Sequence, residues 1–100
     1  MSRLAGLCEK VTHEITRRGV AAAEADAAYR LAQAEAYLRS EGTVAEREAH
    51  AVVATQQAYR DRRIAEARLE GAKEAGRNYR AQLETLRSIN SNLRALVVGS

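Results

Sequence analysis

Sixteen basic side chains, two histidines, one cysteine and thirteen acids are the groups in this 100-residue sequence that could do chemistry. Zinc proteases need two His one helical turn apart, but His13 and His50 fall on different predicted helices. His13 has Glu9 and Arg17 a turn to either side, and His50 follows Glu46 by four residues, so both read as surface residues. Cys8 falls on an apolar seam and reads as a small buried side chain rather than a nucleophile. A single cysteine leaves neither an internal disulfide nor a cysteine-based metal cluster. Glu41, Glu46 and Glu48 surround a turn, where carboxylates favour the positive end of a helix. There is no Gly-rich phosphate loop. The expectation is a protein without catalytic residues, metal or cofactor.

The arginines carry the functional signal. Fourteen of the sixteen basic residues are Arg, whose planar fork matches phosphate. Lys73, Arg80, Arg87 and Arg94 recur every seven residues, and Arg77 lies one turn from the first two, so they form one helical stripe. Glu70, Glu74 and Glu84 can pair with Lys73, Arg77, Arg80 or Arg87. Beyond Glu84 there is no acid, while Ser88, Asn90, Ser91 and Asn92 supply polar donors among the arginines. Two readings stay open: phosphate contact and salt bridges between subunits at flanking coiled-coil positions. A second group, Arg60, Arg62, Arg63 and Arg68, surrounds Tyr59. It reads either as a base-stacking site or as a self-paired helix face, since Asp61 and Glu66 stand beside it.

The elements that position these groups are helices. The chain has no Pro, Trp or Phe, and Ala, Leu, Arg, Glu and Gln dominate, the composition of long helices or coiled coils. Gly42 suits the left-handed position that ends a helix. Thr43 followed by Glu46 forms a capping box. Helices are therefore expected over about 2–39 and 44–97, with the turn at 40–43.

Before the turn, a heptad seam runs through Leu4, Cys8, Val11, Ile15, Ala22, Ala25, Tyr29, Ala32 and Ala36, with Arg18 as its exception. After the turn, a second runs through Ala51, Thr55, Ala58, Ala65, Leu69, Ala72, Gly76, Tyr79, Leu83, Leu86, Asn90, Leu93 and Val97, interrupted by Arg62. Small residues let such helices approach closely. The predicted fold is all-α: one domain, a long antiparallel coiled-coil-like hairpin. Gly19 marks a place where the first helix could kink or break.

The two helices are unequal. At ~1.5 Å per residue, a hairpin folded at Gly42 sets Leu4 opposite Arg80, and residues 81–98 overhang. That overhang holds the densest apolar stripe of the chain: Leu83, Leu86, Ile89, Leu93, Leu96 and Val97. A solvated helix would not carry such a stripe without a partner. Either a second chain covers it, making the protein a homo-oligomer, or the first helix bends at Gly19 and docks elsewhere. Composition favours self-association: 21 residues are Ala and only 20 are Val, Ile, Leu or Met. No apolar run approaches the ~20 residues of a membrane span, and Glu9 and Lys10 cut short any leader-like run at the N-terminus. With one cysteine, a cytoplasmic location is expected.

Two stretches carry a resemblance. They are Tyr37-Leu38-Arg39-Ser40-Glu41-Gly42-Thr43-Val44-Ala45-Glu46-Arg47-Glu48-Ala49 at the turn, and Leu86-Arg87-Ser88-Ile89-Asn90-Ser91-Asn92-Leu93-Arg94 near the end, with Ala65-Glu66-Ala67 between them. The region resembles short helical proteins of actinobacterial bacteriophages, similar in layout to the UvsY-like recombination mediators. The resemblance implies a helical oligomer in the host cytoplasm that binds single-stranded DNA and acts with a recombinase or a single-strand-binding protein. Carried over, the contact residues are Arg80, Arg87 and Arg94, with Arg77 and Lys73 secondary. The alternative is a helical protein-interaction module (an anti-defence factor, an assembly chaperone or a structural adaptor) that binds no nucleic acid.

Overall fold

The computed structural model describes residues 2–99, excluding the side chains of Ser2, Leu4, Ala5 and Gly99. They form three helices: α1 (Ser2–Arg39), α2 (Val44–Ala54) and α3 (Gln56–Gly99). α1 packs against both α2 and α3, giving a rod of 83 × 20 × 13 Å. The hairpin is antiparallel. Tyr29 meets Tyr59, Asp26 meets Arg62, Gly19 faces Leu69, and Val11 and Ile15 face Gly76.

The turn lies where the sequence puts it. Gly42 adopts φ +111°, a left-handed conformation that only glycine takes without strain. The last carbonyls of α1 would otherwise lack partners. Here the Ser40 hydroxyl donates to the Ala36 carbonyl at 2.6 Å, and the Ser40 amide donates to the Tyr37 carbonyl at 3.2 Å. Arg47 reaches back from α2 and donates to that same Tyr37 carbonyl from Nε at 3.3 Å and Nη2 at 3.2 Å. Its guanidinium lies 4.3 Å from the Tyr37 ring centroid, a cation–π contact that ties the start of α2 to the end of α1. Only half of the capping box forms. The Glu46 amide donates to Thr43 Oγ1 at 3.2 Å, while the Glu46 carboxylate lies against Gly42, 2.5 Å from where a Cβ would sit.

One expectation needs correction, and one open alternative is resolved. The second helix is not continuous: it breaks at Thr55, whose backbone departs from helical values (φ −111°, ψ 18°). Thr55 is buried, so its hydroxyl cannot turn to water and donates to the Ala51 carbonyl at 2.7 Å. Back-bonding of this kind bends helices. The Ala51 carbonyl also accepts the Thr55 amide, and the Thr55 carbonyl accepts the Tyr59 amide, so the chain direction is kept. At Gly19, by contrast, α1 runs on unbroken, with Leu69 Cδ1 3.9 Å from the place of a Cβ. The first half of α1 therefore stays on the hairpin and does not dock elsewhere.

Both seams are the buried faces. Cys8, Val11, Ile15, Ala22, Ala25, Tyr29, Ala32 and Ala36 are half-buried, as are Ala58, Ala65, Leu69, Tyr79 and Leu83. Leu4 lies outside the described side chains. Among the described residues the fully buried ones are small: Ala51, Thr55, Ala72 and Gly76. Gly76 matters most, since a Cβ there would meet Ile15 Cδ1 at 3.2 Å and Val11 Cγ1 at 3.3 Å. It lets α1 bring branched side chains onto the α3 backbone. Continuing this pairing sets the start of α1 beside about residue 85, a turn further along than the expected match with Arg80. Leu83 is thus covered by α1, and the exposed stripe begins at Leu86.

Glycine positions on α3 give a direct test. Gly76→Val should lower stability by about 1–3 kcal/mol, since the added carbons must push α1 away. Gly71→Ala should raise it by roughly 0.5–1 kcal/mol, because a Cβ there meets nothing within 4 Å. Urea unfolding followed by circular dichroism checks both. Equal effects of the two substitutions would contradict the close approach at Gly76.

Candidate nucleic-acid interface

The heptad spacing places Lys73, Arg80, Arg87 and Arg94 along one side of α3, and all four are exposed. Ion pairing along the stripe is uneven. Lys73 Nζ lies 3.4 Å from Glu70, and Arg77 Nη2 lies 2.7 Å from Glu74. Glu84 turns forward to Arg87 at 3.5 Å rather than back to Arg80. That pair is long and solvated on both sides, so it holds the guanidinium weakly. Among the described residues neither Arg80 nor Arg94 has an ion-pair partner. Unpaired or weakly held positive charge is therefore present around Arg80, Arg87 and Arg94, as it also is at Arg60 and Arg68, and here exposed Ser88, Asn90, Ser91 and Asn92 stand among the arginines.

The same segment carries the apolar stripe. Exposure climbs along it: Leu86 39%, Ile89 48%, Leu93 55%, Leu96 70% and Val97 75%. Large apolar side chains left this open on successive turns form one patch, in contrast to the isolated Val20 or Leu31 elsewhere. The arginines and the patch share one helix.

The second arginine group separates in space. Arg62 occupies a seam position and lies between the two tyrosines, 5.1 Å from the Tyr29 centroid and 6.0 Å from that of Tyr59. The rings meet edge to face at 5.6 Å. Its Nε lies 2.9 Å from Glu66 and 3.5 Å from Asp26 across the hairpin. The hydrogen bond to Glu66 raises the Arg62 pKa, and the reciprocal bond from Arg62 holds the Glu66 carboxyl below its ordinary 4.5. Arg63 adds a contact to Glu66 at 3.3 Å. Arg62 and Arg63 are satisfied by these partners, and Tyr59 is engaged with Tyr29, so the self-paired reading fits those two arginines. Arg60 has no ion-pair partner among the described residues, and Asp61 accepts instead from Gln57.

Arg68 does not belong to that cluster. It lines a shallow groove with Arg17, Arg18, Ala21 and Ala65. Arg17 and Arg18 both bond Glu14, whose pKa is lowered chiefly by the hydrogen bond from Arg17. Arg17 and Arg18 share one carboxylate, and Arg68 lines the same groove without an ion-pair partner among the described residues, a local excess that heptad spacing within either helix does not reveal. Only the cross-hairpin register, setting residue 18 near residue 68, brings them together.

No helix among the described residues is long and apolar enough to cross a membrane. No protein-family model, curated protein or solved structure matches the chain.

The Arg62 cluster sets a pH dependence. Carboxyls with lowered folded pKa values stabilise the fold above their unfolded pKa, and that contribution is lost as pH falls through the folded value. For Glu66 and Glu14 the loss begins below the ordinary carboxylate value of 4.5. The melting temperature should fall on acidification from pH 5 to about pH 3. Glu66→Gln should start lower at pH 7 and show a flatter decline. An unchanged slope in that variant would remove Glu66 from the account.

Proposed function

We propose that this protein is a non-enzymatic accessory factor that binds single-stranded nucleic acid along the far end of α3. The observation that carries the reading is the unpaired state of Arg80 and Arg94 beside the weakly held Arg87, on a segment without acids after Glu84. Phosphate contacts need exposed guanidinium groups that are not already neutralised. Arg77 and Lys73, each paired with a neighbouring Glu, are secondary contacts that would have to exchange partners.

Single-stranded DNA as the ligand, and a role beside a recombinase or single-strand-binding protein in phage recombination, rest on the resemblance of residues 37–96 to the phage mediators. The geometry supports a polyanion contact surface on an elongated helical scaffold. Self-association through Leu86, Ile89, Leu93, Leu96 and Val97, with Leu83 at its border, belongs to the same reading. A cytoplasmic setting does too.

Fluorescence anisotropy with a labelled oligothymidylate tests it. Binding should be weak and steep in salt, each phosphate contact adding about −0.7 to the slope of log K against log salt. Arg94→Gln should reduce that slope by about 0.7. Arg87→Glu with Arg94→Glu should abolish binding while helicity stays intact. Normal binding by the double variant would place the contact surface elsewhere.

A further inference from the structure

We infer that two copies of this chain pair their overhanging α3 segments antiparallel, so that arginines from both copies form one composite anion-binding stripe. The inference rests on the nucleic-acid reading for its ligand only. The pairing itself comes from three features of α3.

The first is continuity. In the seam that α1 covers, Gly76 and Leu83 occupy one core position of the heptad and Ala72 and Tyr79 the other. Leu86, Asn90, Leu93 and Val97 continue the same two positions beyond α1. The uncovered face is the hairpin's own seam extended, and a helix of the same kind fits it.

The second is the identity of the flanks. One flank of the extension carries Ile89 and Leu96, and the other carries Arg87 and Arg94. In an antiparallel pair like flanks face each other. Ile89 then meets Leu96 of the second copy, and the apolar surface closes on itself. A parallel pair sets Ile89 against an arginine of the second copy and leaves both apolar flanks wet.

The third is α1 itself. α3 is one unbroken helix from Gln56 to Gly99, and α1 sits on its seam up to about residue 85. Two parallel copies in register would drive both α1 helices into the space between the α3 helices. Antiparallel copies avoid this. The second α3 approaches from the far end, runs in the direction of α1, and occupies the seam that α1 leaves open.

The antiparallel arrangement carries a consequence. Arg87 of each copy faces Arg94 of the other, and the nearby acid, Glu84 at 3.5 Å from Arg87, is solvated and holds it weakly. Like charges oppose the dimer, and a polyanion laid along the stripe removes that opposition. Anion binding and dimerisation therefore reinforce each other, as linkage requires, and the anion site is incomplete in a single copy.

Small-angle scattering on size-exclusion-purified protein reads the arrangement. One chain is 83 Å long. Two chains overlapping by about 15 residues, ~22 Å, give a maximum dimension of about 140 Å, whereas side-by-side parallel copies stay near the length of one. Mixing wild type with Arg87→Glu/Arg94→Glu then tests the flank without nucleic acid. In an equimolar mixture heterodimers should rise above the statistical half toward nearly all of the dimers, because the arginines of one copy face the introduced carboxylates of the other. Sedimentation at several concentrations reads the coupling. A fifteen-residue oligothymidylate should lower the dimer dissociation constant at least tenfold, and added salt should tighten the dimer without it and loosen the dimer with it.

Leu86→Asp/Leu93→Asp should leave a helical monomer, since both positions lie beyond α1. A short dimer, or statistical mixing of the charge-reversed variant, overturns the antiparallel pairing. A persistent monomer overturns it too. Long dimers with preferential mixing but no response to the oligonucleotide keep the pairing, overturn the composite site and count against the nucleic-acid reading alone.

Discussion

Two long helices are held together here by side chains too small to do so through burial alone. Among the described residues the most buried positions are Ala51, Thr55, Ala72 and Gly76, and no large side chain is completely enclosed. Small residues contribute little transfer free energy each. What they allow is proximity, so that Val11 and Ile15 pack onto the backbone at Gly76 and gain dispersion contacts. The rest of the architecture depends on this close approach. It accounts for the rod shape, for the partial exposure of nearly every seam residue, and for the use of polar clamps where the seam widens.

Those clamps replace the missing apolar mass. Arg62 takes a seam position that an aliphatic residue would ordinarily fill, and it stays solvated at its edge while touching two tyrosines and two carboxylates. Its link to Asp26 is an ion pair across the hairpin, whereas Arg77–Glu74 or Arg39–Glu35 each lie within one helix. Arg47 plays a similar part at the turn, covering the Tyr37 ring and carbonyl together. Arginine suits both places because its stem and guanidinium plane pack like an apolar group while its donors remain in reach of partners. Arg62 and Arg47 are thereby given to holding the hairpin, whereas the other paired arginines meet acids on their own helix.

The spacing of residues carried most of this architecture. Gly42 and the Thr43–Glu46 pair located the turn to the residue, and alternating steps of three and four picked out a line from Cys8 to Leu83 that is half-buried or buried, while off-seam residues such as Leu7, Gln33, Tyr37 and Ala75 are half-buried as well. What spacing could not supply was geometry between elements. The break at Thr55 depends on burial of a hydroxyl, which a heptad pattern treats as one more small seam residue. The offset of the two helices by one turn depends on side-chain fit at Gly76, and it moved Leu83 from the exposed segment to the covered one. Arg68 was grouped with Tyr59 by its nearness in sequence, whereas packing sets it beside Arg17 and Arg18. For the stripe, regular spacing put the arginines on one side. The choice of Glu84 between Arg80 and Arg87 required coordinates.

The division of arginines is what gives the far end of α3 its character. Alongside α1 several charged groups have partners on the same helix, and Arg62 has one across the seam. Past about residue 85 the cover of α1 ends, and no acid follows Glu84, which reaches forward to Arg87 at 3.5 Å. A segment built only to end a helix would lose its large apolar residues there, because exposed Leu, Ile and Val add nothing to helix propensity over Ala or Glu. Instead Leu86, Ile89, Leu93, Leu96 and Val97 persist on one side, and Arg87 and Arg94 on the next. An exposed apolar face and an adjacent arginine face on one helix suit a segment whose partners are supplied from outside the hairpin.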